Sequence, residues 1–64
     1  MNKEKCFNCI VKAAIYKNKL WQECKLTWGE DVELSRILEK ACSYAELNAE
    51  EVAAAARAEI EKAA

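Results

Sequence analysis

The chain has 64 residues, 53% of them hydrophobic and 33% charged, with a formal net charge of −1, one Gly, no Pro, no His and four Cys. A chain this short makes one domain with a marginal core. The missing turn residues exclude a fold of many β-hairpins, and the missing His excludes imidazole bases, Ser-His or Cys-His nucleophile pairs and mixed Cys/His zinc sites.

Residues 3–28 predict one long helix. At about 100° per residue, Cys6, Ile10, Ala13, Ala14, Leu20, Trp21 and Cys24 share a broad face. Val11, Ile15 and Leu26 fall on or near the polar side. Gly29 follows as a left-handed helix terminator, so the next helix is expected over 32–46. A competing boundary places Thr27 at an N-cap with Glu30 as its capping-box partner. In this second helix Leu34, Ile37, Leu38, Ala41 and Ala45 form the expected buried face, with Tyr44 beside them and Cys42 on the margin. Asn48 is a good N-cap for a third helix over 49–63, whose apolar stripe is Val52, Ala56, Ile60 and Ala63. That helix is rich in Ala and brings only two large apolar side chains.

These elements give an all-α fold: a single domain, 1–64, folded as a three-helix bundle in up-down-up order, since short connections force antiparallel neighbours. The alternative breaks the first helix near Asn18, where Asn tolerates a left-handed C-cap, and makes four helices. A continuous first helix about 39 Å long outruns the second. Its end, with Cys6, Phe7, Ile10 and Val11, then projects as an apolar overhang unless the third helix covers it, and an overhang of this kind marks an interface or self-association. Phe7, Ile10, Val11, Trp21 and Trp28 are therefore the candidate interface residues. For the two Trp, a core position and a binding anchor are both open.

The thiols admit three chemistries. Cys6-Phe7-Asn8-Cys9 is one Cys-x-x-Cys pair, and with Cys24 and Cys42 it supplies four thiolates of the number that zinc or an iron–sulfur cluster takes. It lacks the Gly or Pro turn that such pairs use, so no metal site and no cofactor is favoured. Thiol–disulfide catalysis needs a preceding strand that this chain lacks. Among disulfides, Cys24 is about 27 Å from Cys6 along a continuous helix, far beyond the ~7 Å between bridged Cα atoms. At most one bridge within the chain is expected, with Cys9–Cys42 the favoured one given the earlier boundary and some slack, and Cys24 free or bridged between chains.

Charge is unevenly spread. Residues 1–26 carry six Lys and two Glu, and residues 27–64 carry four Lys or Arg and nine Asp or Glu. The basic segment is read as packing beside the acidic ones; a nucleic-acid face carrying Lys12 and Lys19 is the rival. No membrane span and no signal peptide are visible, which puts a natural or bacterially expressed chain in the cytoplasm. Glu50-Glu51 reads as a helix cap, and one Gly cannot build a phosphate loop.

The tail from Glu50 on, Glu-Glu-Val-Ala-Ala-Ala-Ala-Arg-Ala-Glu-Ile-Glu-Lys, resembles the Ala/Glu/Lys/Arg helices of computationally designed miniproteins. The capped, Pro-free, short-loop layout agrees with it; the Cys-rich first half departs from it. The resemblance implies an artificial, non-catalytic scaffold or a binder of another protein or of itself. The expectations from other classes are a four-thiolate metal or iron–sulfur carrier and a small bacterial or phage regulatory protein that binds protein or DNA.

Overall fold

A computed structural model describes residues 2–63, with side chains through residue 62. It is a three-helix bundle: α1 (Lys3–Gln22), α2 (Trp28–Tyr44) and α3 (Ala49–Ala63). α1 runs unbroken through Asn18, so the four-helix alternative is not formed.

Each helix start has a local cause. Asn2 accepts hydrogen bonds from the Glu4 and Lys5 N–H groups at 2.9 and 3.3 Å. Asn48 does the same for Glu50 and Glu51 at 2.8 and 3.4 Å. At α2 the competing boundary is the real one. The Glu30 N–H donates to Thr27 Oγ1 at 3.2 Å, and the Thr27 N–H donates back to Glu30 Oε1 at 3.0 Å. Those bonds hold the Glu30 carboxyl below its usual range, the backbone N–H of Thr27 being the larger cause.

Gly29 is therefore not a terminator. It sits in the first turn of α2 with ordinary helical backbone, and Cys24 at φ 60° makes the left-handed turn instead. The Cys24 N–H reaches the Trp21 carbonyl at 3.1 Å and the Lys25 N–H reaches that of Leu20 at 2.9 Å, the paired bonds of a Schellman motif. α2 ends in the same way. Glu46 stands at φ 58°, its N–H on the Ser43 carbonyl at 3.1 Å, and the Leu47 N–H bonds that of Cys42 at 2.8 Å. Neither left-handed residue is Gly.

Two ion pairs fix the direction of packing. Lys17 of α1 meets Asp31 near the start of α2 at 2.8 Å, and Lys3 meets Glu46 beyond the end of α2 at 3.4 Å. α1 and α2 are thus antiparallel, with the basic segment beside acidic ones. The Lys17–Asp31 pair is mostly shielded from water and the Lys3–Glu46 pair is exposed, so only the first is expected to matter for stability.

The buried core is Val11, Cys42, Val52 and Ala56, flanked by Phe7, Ile10, Ala14, Ile15, Leu47, Ala49 and Ala55. Two faces are turned relative to their expected orientation. On α1, Val11 is buried and Ile15 packs against the core, whereas Ala13 and Trp21 are exposed. On α2, Cys42 is 2% exposed, while Ile37 is 54% and Tyr44 86% exposed. On α3, Val52 and Ala56 are buried and Ile60 is half-buried; the side chain of Ala63 lies outside the described residues. α1 packs closely on both partners, and α2 and α3 touch each other at few places.

Candidate binding groove

The apolar overhang is not formed. α1 ends at Gln22 rather than at residue 28, and Phe7, Ile10 and Val11 are packed into or against the core. Val11 is buried in the core, and Phe7 and Ile10 are half-buried against it. Trp21 and Trp28 stand at the α1–α2 turn, and Trp28 is 73% exposed.

The thiols are dispersed. Cys9 is exposed, Cys24 is exposed at the end of α1, and Cys42 is buried. Cys6 is half-buried beside a small hollow lined by Lys3, Tyr44, Ala45 and Glu46. The Cys9–Cys42 bridge is not formed, because no two cysteines lie at disulfide distance. The helix period explains this. Cys9 is two residues before Val11, roughly 200° around α1, and so points away from the core that Cys42 enters. Among the described residues no three Cys, Asp or Glu side chains are grouped to hold a metal ion. No described helix is long and apolar enough to cross a membrane.

Burial pushes the Cys42 thiol above its usual pKa, and the charge of Glu39 pushes it further. It therefore stays protonated at neutral pH and is a poor nucleophile. Alkylation of the reduced, folded protein with iodoacetamide is expected to modify Cys9 and Cys24 first. Cys42 should lag by roughly tenfold or more, since it needs local opening. Peptide mapping by mass spectrometry at timed quenches checks the order; a Cys42 that reacts with Cys24 would contradict the packing.

The prominent concavity lies between α2 and α3, with residues of α1 in its lining. It is an open groove of about 630 Å³. Its apolar surface comes from Ala14 of α1, Leu38 and Cys42 of α2, and Val52, Ala53, Ala56 and Ile60 of α3. Lys17, Glu39, Glu50, Arg57 and Glu61 stand around it. The groove has a sequence cause. The α3 residues turned toward it include Ala49, Ala53 and Ala56, and methyl groups cannot fill the space that Leu or Phe would close. The poverty of large side chains in α3 was the visible signal. Its meaning depended on which residues of α1 and α2 lay opposite.

No family model, curated protein or solved structure matches this chain.

Proposed function

We propose that the chain is a non-catalytic helical binding module that receives one amphipathic helix of another protein in the α2–α3 groove. The observation that carries this is the open groove between α2 and α3, floored by apolar side chains of all three helices, where α2 and α3 touch at few places. α3 lines it from Ala49 to Glu61, roughly 18 Å of helix, long enough for three turns of a guest. The Cys42 thiol at the floor is shifted the wrong way for a nucleophile, which argues against thiol catalysis in the groove. Three capped helices joined by short turns also suit the designed-miniprotein reading, while left-handed Cys24 and Glu46 depart from design practice.

The test is a nitrogen-15 labelled sample titrated with a synthetic amphipathic helical peptide, Leu at i, i+4, i+7 and i+11 and Gln elsewhere. Amide shifts are expected at Ala14, Ala53 and Ile60. Ala53→Trp fills the groove and is expected to weaken binding about tenfold or more, one buried aromatic's worth of obstruction. Shifts scattered over the α1 outer face, or none at millimolar peptide, would sink the reading.

A further inference from the structure

The partner helix is basic: we infer that the groove selects an amphipathic helix whose apolar stripe is flanked by Lys or Arg, an inference that rests on the groove being the binding surface. Both walls come from the acidic part of the chain, residues 27–64, with nine carboxylates against four cations. Around the opening itself stand Glu39, Glu50 and Glu61, one on α2 and two on α3. Of the two cations lining it, Lys17 is already held by Asp31 at 2.8 Å, which leaves Arg57 as the cation able to meet a guest carboxylate. A guest lying over Leu38, Ala53 and Ile60 would bring its flanking residues to those carboxylates on both sides. Lys or Arg there would gain attraction at the rim, where a partly desolvated pair is worth more than in bulk water, and Glu there would be repelled. A second copy of this chain is a weaker occupant. Its basic helix, α1, has already committed Phe7, Val11 and Ile15 to its own core.

Two peptides with the same Leu stripe, one flanked by Lys and one by Glu, test the charge rule on the full chain by fluorescence anisotropy. At low salt the Lys peptide is expected to bind about tenfold or more tightly than the Glu peptide, and the ratio should shrink at roughly 0.5 M salt as the rim charges are screened. In Glu39→Lys/Glu50→Lys/Glu61→Lys the preference should reverse. Should that variant lose its helical circular dichroism, Glu61→Gln alone is expected to narrow the ratio. Equal affinities, or a preference for the Glu peptide, would overturn the inference and leave the groove reading standing. Binding by neither these peptides nor the Gln peptide would instead remove the groove reading itself. Sedimentation of the protein alone is expected to show a monomer; a dimer dissolved by Ala53→Trp would make a second copy the occupant and overturn the proposal.

Discussion

The double substitution Cys24→Gly/Glu46→Gly is expected to raise the thermal unfolding midpoint by about 10 °C. Both residues sit at the left-handed position after a helix, at φ 60° and 58°. There a side chain with a Cβ crowds the carbonyl that follows, a strain of roughly 1–2 kcal/mol that Gly does not feel. Part of the gain is offset by the extra freedom of Gly in the unfolded chain, leaving about 1 kcal/mol for each site. In a domain of this size each kcal/mol moves the midpoint by roughly 4–8 °C. Losing the Lys3–Glu46 pair subtracts little, because both side chains are exposed. Cys24→Ala is the control. It removes the thiol but keeps the Cβ, and its midpoint should not rise. Scanning calorimetry decides; a double variant no more stable than the parent would mean that the two turns are not left-handed in solution.

Val52→Asp is expected to abolish the fold, whereas Ile37→Asp should change stability by no more than about 0.5 kcal/mol, as for other surface substitutions. Val52 is 4% exposed in the centre of the core. A carboxylate there is taken out of water, and burying it costs several kcal/mol. A single core in a chain this short rarely supplies more than about 3–5 kcal/mol, so nothing is left in reserve. Ile37 stands with more than half its surface in water. The contrast is sharp because the helical period of 32–46 alone ranks Ile37 as buried. Helical circular dichroism that survives in Val52→Asp would show that α3 is rotated from the orientation described, and its collapse in Ile37→Asp would show the same of α2.

Local chemistry was readable and global orientation was not. Thr27 with Glu30 and Asn48 with its following amides are short-range devices, complete within four residues. The sequence therefore states where α3 begins, and α3 occupies the expected span, while the true start of α2 was only the competing one of two boundaries. Gly29 misled because a Gly signals a left-handed turn only when no better organised start claims it, and the reciprocal Thr27–Glu30 bonds did. The face of α1 is a different kind of problem. Ile10, Val11, Ile15, Leu20 and Trp21 surround much of that helix, and a helix that packs against two partners needs a wide buried arc. Its rotation is then decided by α3, whose Ala residues carry little directional information. The groove was hidden for the same reason, being a volume left unfilled by three helices together.

Few contacts cross the seam between α2 and α3, so widening the groove would cost little packing. Each wall packs on α1, and the two walls touch each other at few places, with Cys42 of α2 sharing the buried core with Val52 and Ala56 of α3. Prying them apart by an ångström or so would break few contacts, unlike in a bundle whose helices are all interlocked. A bulky anchor such as Phe or Trp could therefore be admitted at small deformation cost, with methyl-lined α3 yielding by rocking as a unit. In the proposed role, such a groove would accept a wider range of guest side chains and discriminate less by shape, as other adaptable surfaces do. Selectivity in that role would then fall to the charges along the rim rather than to steric fit.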